Sequence, residues 1–187
     1  MPYLTPALHS KYPDLTLVWL EDKTHMLIRG LQAGTIDAAL LALEAEIGDV
    51  ESEVIAKDRF VLVAPAGNPL ADSNEPARAQ ELRGTTVLVL EEEHCFGKQA
   101  LEFCLGARAQ DHEFRGTSLT TIISMVLGGV GVTLLPEISV ATEIRGNELH
   151  VRPFVDPPPA RTIGLVWRKR SALAPALKKL AATMREA

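Results

Sequence analysis

Short apolar runs alternate along this chain with stretches whose apolar residues recur at helical spacing. Apolar runs rich in valine, leucine and isoleucine predict strands at residues 15–20, 36–43, 54–55, 60–64, 86–90, 130–135, 149–154 and 162–168. Helical spacing or helix-forming composition predicts helices over residues 3–12, 24–33, 76–84, 99–104, 119–127, 136–144 and 172–186. Because strands and helices alternate, this order predicts an α/β fold. The nearly continuous apolar run 36–43 is typical of a strand buried on both faces in a parallel sheet.

Capping and turn residues bound several of these elements. Thr24 is expected to cap a helix that ends at Gly34, because threonine accepts hydrogen bonds at helix starts and glycine adopts the left-handed conformation at helix ends. Ser118 is expected to cap a second helix, which Gly128 and Gly129 end. Three consecutive prolines at 157–159 form a stiff spacer before the last predicted strand.

Composition and charge narrow the class of protein. The 187 residues are 47% apolar and 23% charged, which suits one or two compact domains. The net charge of −5 argues against nucleic-acid binding by this chain alone, because phosphate neutralisation needs clustered lysine and arginine. The sequence contains neither an apolar run near the ~18 residues of a membrane span nor a secretion signal, so we expect a cytoplasmic protein without membrane contact.

Both cysteines of the chain lie in one segment, EEEHCFGKQALEFC, from Glu91 to Cys104. Its second half is expected to be a short helix, and a helix of nine residues advances by about 13.5 Å and turns by about 900°. Cys95 and Cys104 would then lie on opposite faces, whereas a disulfide needs Cα atoms within about 7 Å. Either the two thiols never meet, or the segment unwinds for them to meet. The second possibility describes a redox switch.

The neighbours of each cysteine indicate which thiol would react. Cys95 follows His94, precedes Lys98 by three residues and is expected at a helix N-terminus. Cations and helix N-termini favour the reactive thiolate, although the acidic run before His94 acts in the opposite direction. Cys104 lies in an apolar stretch, where a buried thiol is normally inert. Cys95 is therefore the candidate for attack and Cys104 the candidate resolving partner, while two unrelated buried cysteines remain the alternative.

The cysteine segment resembles the redox-active segment of the OxyR family, the peroxide sensors among the LysR-type transcriptional regulators. In that family a His-Cys pair opens the segment and a second cysteine follows at this separation. Further stretches fit the family in the expected order: PYLTP at 2–6, TH at 24–25, FRGTSL at 114–119, GVGVTLLP at 129–136 and RTIGLV at 161–166. The glycine-rich and Leu-Pro stretches occur in LysR-type domains generally, so only the cysteine segment indicates OxyR.

The resemblance implies an architecture. Two Rossmann-like α/β subdomains would be joined by two crossover strands, as in a small periplasmic binding protein. Subdomain I would comprise residues 1–62 and 163–187, and subdomain II residues 63–162 with both cysteines. The family's N-terminal helix-turn-helix domain and the strand before the Pro-Tyr-Leu stretch have no counterpart in these 187 residues. We therefore expect a fragment, or a reading frame begun late.

The resemblance also implies site residues. Thr24 corresponds to a threonine that faces the peroxide pocket, His94 is placed to donate a hydrogen bond to peroxide or to the thiolate, and Arg161 corresponds to an arginine near the reactive cysteine. Each has an ordinary alternative: a helix cap, a solvated loop histidine and a surface salt bridge. Gly97 and Lys98 stand where many members have an Arg-Asp pair. The lost arginine would weaken thiolate stabilisation and Lys98 would restore part of it, so this departure bears on the rate with peroxide more than on the function.

The same resemblance implies partners. Hydrogen peroxide would be the signal, and a glutaredoxin- or thioredoxin-type thiol reductant would reset the switch. The domain would form a homodimer and the full-length protein a tetramer, with DNA bound only by the absent N-terminal domain. No cofactor is expected, and the five histidines show no metal-ligand spacing with the cysteines.

Two other functions remain open. A LysR-type domain with bystander cysteines would bind a small organic co-inducer in its cleft. A thiol peroxidase would consume peroxide over many turnovers, but the chain lacks any familiar peroxidase pattern. The sequence therefore favours a regulator over an enzyme.

Overall fold

The fold comprises two compact units. The computed structural model describes residues 4–90, 95–146 and 148–187. For residues 95–98 and 111–115 it describes the backbone alone. Unit 1 comprises Met1–Lys57 with Thr162–Ala187, and unit 2 comprises Asp58–Arg161. In chain order the helices and strands are α1 (Leu4–Lys11), α2 (Thr24–Ala33), β1 (Ala38–Ala42), β2 (Val50–Pro65), β3 (Thr86–Leu90), α3 (Cys95–Gly106), β4 (Gln110–Gly116), α4 (Leu119–Leu127), β5 (Val132–Pro136), α5 (Val140–Glu143), β6 (Leu149–Pro153), β7 (Ala160–Arg168) and α6 (Ala174–Glu186). The α/β class is confirmed.

Unit 1 is built around an antiparallel pair of strands. Strand β1 pairs with β7 from Ala38, opposite Trp167, to Ala42, opposite Ile163. Trp167 is fully buried beside α1 and α6, and its indole Nε1 donates a hydrogen bond to Glu51 Oε2 at 3.2 Å. A second small cluster joins α2 to β1 and β7, and it contains Ile28, Leu31, Ala39, Leu41 and Val166.

Unit 2 has a mixed sheet in the order β2-β5-β3-β4, with β6 on the other side of β2. Strand β3 runs parallel to β4 and β5, whereas β2 is antiparallel to β5 and β6. Helix α3 packs against β3 and β4, and α4 packs against β3 and β5. The main hydrophobic core lies between these helices and the sheet. The cysteine helix therefore packs on the two neighbouring strands β3 and β4 at one side of this sheet.

Two strand predictions in unit 1 need correction. Residues 15–20 form neither a strand nor a helix, and Val18 and Leu20 are 90% and 61% exposed. Apolar, β-favouring composition alone does not make residues 15–20 a strand, because a strand is stabilised by hydrogen bonds to a neighbouring strand. No described strand pairs with this stretch. Strand β1 begins and ends inside the predicted run 36–43, but its partner β7 is antiparallel. Burial on both faces produces an apolar run whatever the direction of the partner.

Three further predictions need correction. The predicted strands 54–55 and 60–64 are one sixteen-residue strand, β2, which continues through the charged residues Lys57, Asp58 and Arg59. Strand β4 was missed, because its sequence, QDHEFRG, has no apolar run. The helix predicted at 76–84 is only a 3-10 turn, Ala79–Leu82. Long-range pairing, rather than local composition, determines the first two of these elements.

Candidate functional site

Helix α3 places both cysteines on one continuous element. The helix begins at Cys95 and continues past Cys104 to Gly106, so it starts four residues earlier than predicted. It follows β3 after residues 91–94, which include His94 and lie outside the described part of the chain. Nine residues of helix separate the two cysteines along the axis by about 13.5 Å, well beyond the ~7 Å that a disulfide allows. A bridge between them therefore requires α3 to lose helical structure.

Cys104 is held inside the core of unit 2. It is 4% exposed, and Ala100, one helical turn earlier, is 1% exposed. Phe103, the preceding residue, packs edge-to-face on Phe154, with ring centroids 5.2 Å apart and an interplanar angle of 75°. The backbone carbonyl of Cys104 accepts a hydrogen bond from the N–H of Ala109 at 3.0 Å. The expected burial of Cys104 is confirmed.

The expected capping role of Thr24 is wrong. Thr24 is the first residue of α2, and the capping position is Lys23, whose side chain makes no capping hydrogen bond. The end of the helix is as expected, with Gly34 in the left-handed conformation at φ 78°. Thr24 is half-buried. Its contact with peroxide stays a prediction.

Ser118, in contrast, caps α4 as expected: its Oγ accepts a hydrogen bond from the N–H of Thr121 at 3.2 Å. Ser118→Ala is therefore expected to lower the free energy of unfolding by about 0.5–2 kcal/mol. Thr24→Ala removes no capping bond, and its effect is expected to stay within about 0.5 kcal/mol. Urea unfolding of both variants beside the wild type measures the difference. Equal losses would contradict these assignments.

Arg161 lies near the start of β7 and forms a buried ion pair. Its Nε donates to Asp58 Oδ2 at 2.8 Å, and the two side chains are 14% and 0% exposed, respectively. The other carboxylate oxygen of Asp58, Oδ1, accepts from the N–H of Ile138 at 3.2 Å. A surface salt bridge was the ordinary alternative for Arg161; the structure shows a salt bridge that is buried.

Sequence reasoning missed Asp58, although one signal was present. A lone aspartate between two basic residues interrupts the apolar run of β2, and charged residues rarely occupy buried positions without a partner. The ends of unit 2 are Asp58 and Arg161 themselves. The ion pair therefore joins the two strands at the points where the chain enters and leaves this unit.

The predicted site residues are distributed over the chain as follows. Cys95, Cys104 and Arg161 belong to unit 2 and Thr24 belongs to unit 1, while His94 and the side chain of Cys95 lie outside the described residues. A cavity of about 310 Å³ borders α2 in unit 1, but none of the predicted site residues lines it. Within the described residues, no group of three or more His, Cys, Asp or Glu could hold a metal ion. No helix in that part of the chain is long and apolar enough to cross a bilayer.

Comparison with known proteins defines the class. The family model of the LysR substrate binding domain matches residues 1–187. The chain therefore belongs to the LysR substrate-binding domain family.

Within this family the chain is similar to OxyR proteins. A probable hydrogen peroxide-inducible genes activator of Mycobacterium avium is 39% identical over 100% of this chain and 61% of its own length. The reduced form of the OxyR regulatory domain from Pseudomonas aeruginosa superimposes with a TM-score of 0.85 at 32% identity, covering 100% of this chain and 90% of that one. A crystal structure of the oxidized form of OxyR gives 0.86 at 36% identity, covering 99% and 89%. The chain spans about three fifths of the length of the curated relatives it matches.

Proposed function

We propose that this chain is the hydrogen-peroxide-sensing regulatory domain of an OxyR-like transcription factor, which switches through a reversible disulfide between Cys95 and Cys104. One observation carries the proposal: both cysteines lie on one continuous helix, and the second is buried in the core. Such a helix cannot contain the disulfide, so oxidation and refolding are coupled. The names of the similar proteins support the same function.

The proposed chemistry has two steps. The Cys95 thiolate attacks one oxygen of hydrogen peroxide, so that an S–O bond forms, the O–O bond breaks, and the leaving hydroxide takes up a proton to become water. The sulfur of Cys104 then attacks the sulfenic acid sulfur of Cys95. The S–S bond forms, the S–O bond breaks, and the hydroxide leaves as water with the thiol proton of Cys104. Two thiols are oxidised, and one peroxide is reduced to two waters.

The remaining predicted site residues receive roles in the first step. His94 and Thr24 would orient the peroxide and supply hydrogen bonds to the departing oxygen, and Lys98 would favour the thiolate. Arg161 would contribute positive charge from the start of β7. Its ion pair with Asp58 fixes the guanidinium in one orientation, which preorganises it for such a role.

The output of the switch would be regulatory rather than enzymatic. Loss of helical structure in α3 would repack the unit 2 core around Cys104 and alter a surface between domains. In the full-length protein we propose a homodimer through this domain, a tetramer overall and DNA binding by a separate N-terminal domain. A cytoplasmic thiol reductant of the glutaredoxin or thioredoxin type would restore the two thiols.

Intact mass under non-reducing conditions tests the proposal. One equivalent of hydrogen peroxide is added to the wild type, to Cys95→Ser and to Cys104→Ser, each first shown to be folded by circular dichroism. A loss of about two mass units is expected in the wild type alone, since a disulfide removes two hydrogen atoms. Sulfenic acid should be trapped on Cys95 in Cys104→Ser.

Two outcomes would favour the other functions. Unchanged mass in all three folded proteins would contradict the switch and favour a domain that binds a small organic co-inducer. Thermal stabilisation by that ligand should then be the same with and without both cysteines. Sustained peroxide consumption over many turnovers with a thiol reductant would instead indicate a peroxidase.

A further inference from the structure

An aromatic contact in unit 2, between Phe103 and Phe154, bears on how the proposed resolving cysteine, Cys104, is held. Phe103 directly precedes Cys104 in α3, and its ring contacts the ring of Phe154 edge-to-face. Phe154 immediately follows β6 and is 6% exposed. The contact joins the cysteine helix to the segment that follows strand β6.

The backbone on both sides of Phe154 is fixed. The N–H of Ala77 donates to the carbonyl of Pro153 at 2.7 Å, and the N–H of Val155 donates to the carbonyl of Ala77 at 2.9 Å. These bonds place Phe154 in an isolated bridge with Ala77, outside helix α3. Phe154 is therefore a stationary partner, whereas Phe103 lies on the element that must rearrange.

The burial of Cys104 decides which end of α3 moves. A thiol enclosed in an apolar core is inert towards an oxidised sulfur and must leave that core to react. Cys104 is 4% exposed, and its neighbour Phe103 is covalently bound to move with it. Edge-to-face contacts require centroids within about 7 Å, so a displacement of Phe103 by a few ångströms ends the contact with Phe154.

We infer that Phe154 is a positioning residue for the resolving cysteine, which acts through Phe103 to hold Cys104 in the reduced arrangement and so sets the oxidation threshold of the Cys95–Cys104 pair. This inference rests on the proposed disulfide switch. The aromatic contact stabilises the reduced form alone, because the oxidised form has lost it. Removing the contact therefore favours the disulfide.

The size of the effect follows from the contact. An edge-to-face pair contributes an amount equivalent to an about 2- to 12-fold change in an equilibrium constant beyond its buried area. Phe154→Leu and Phe103→Leu should therefore shift the thiol–disulfide equilibrium towards the disulfide by about that factor, which makes the reduction potential more negative by about 10–30 mV. Formation of the disulfide after one equivalent of peroxide should also become faster.

The experiment is a redox titration of the wild type, the two single variants and the double variant in thiol–disulfide buffers. The double variant should shift by less than the sum of the two single variants, because both remove the same contact. Leu177→Val is the matched control, because Leu177 is buried in a unit 1 cluster that contains no residue of α3. The reduction potential of the cysteine pair in this variant should equal that of the wild type.

The outcomes separate the inference from the proposed function. Unchanged potentials in folded Phe154→Leu and Phe103→Leu would overturn the inference while leaving the disulfide switch intact. The Phe103–Phe154 contact would then survive oxidation, and the Cys95 end of α3 would be the part that unwinds. A wild type that forms no disulfide at all would overturn the proposed function and the inference together. Equal shifts in Leu177→Val would reduce Phe154 to a general stability residue.

Discussion

Asp58→Ala is expected to lower the free energy of unfolding by about 3–5 kcal/mol, because it removes one partner of a buried ion pair. The Asp58 carboxylate has no exposed surface and accepts hydrogen bonds from the Nε of Arg161 and the N–H of Ile138. Without it, the Nε of Arg161, whose side chain is 14% exposed, loses the carboxylate oxygen to which it donates. A loss of this size is a large part of the ~5–15 kcal/mol that stabilises a typical domain.

Urea unfolding of Asp58→Ala and of a surface control measures the difference. Lys11→Ala removes a comparable ion pair on the surface, with Glu186, in which the side chains are 50% and 71% exposed. Solvent screens that pair, so the loss should be at most about 1 kcal/mol. Similar small losses in both variants would show that burial adds little to the Asp58–Arg161 interaction. Secondary structure measured before unfolding separates a destabilised variant from one that does not fold.

Oxidation is expected to remove the hydrogen-exchange protection of α3. The amides of residues 99–104 are donors within the helix in the structure, and the disulfide cannot form while that helix persists. After one equivalent of peroxide their exchange should accelerate by about a hundredfold or more, equivalent to about 2.7 kcal/mol of lost local stability. Exchange monitored by mass spectrometry over peptides from α3 provides the measurement.

Two internal comparisons sharpen this result. Helix α4, Leu119–Leu127, also packs on β3 but contains no cysteine, so its protection should stay within a fewfold of the reduced value. Cys104→Ser should form sulfenic acid yet keep α3 protected, because no bridge can form. Retained protection across α3 in the disulfide-bonded wild type would contradict the coupling of oxidation to unwinding.

Some elements of this fold follow from the sequence because their cause is local. The predicted strand 86–90 coincides with β3, whose four apolar residues are all buried. Gly34 ends α2 in the left-handed conformation that glycine favours, and Ser118 caps α4 through its own hydroxyl. Each of these features depends on residues within a few positions of one another, so a pattern along the chain is enough to predict it.

Other elements depend on partners that a local pattern does not contain. Strand β4 is polar in sequence and exists because it pairs in parallel with β3. Residues 15–20 have the composition of a strand, yet no described strand pairs with them. Thr24 has a capping side chain, but the helix begins one residue too early for it to act as the cap.

The candidate site divides in the same way. The α/β class, the resemblance to peroxide-sensing LysR-type regulators and the nine-residue separation of Cys95 and Cys104 follow from the amino-acid sequence alone, because residue type and spacing suffice for these. Two contacts became evident from the folded structure: Asp58 pairs with Arg161, 103 positions away, and Phe154 packs on the residue beside Cys104. Such contacts arise from the packing of distant strands and helices, and no local pattern specifies which side chains then meet.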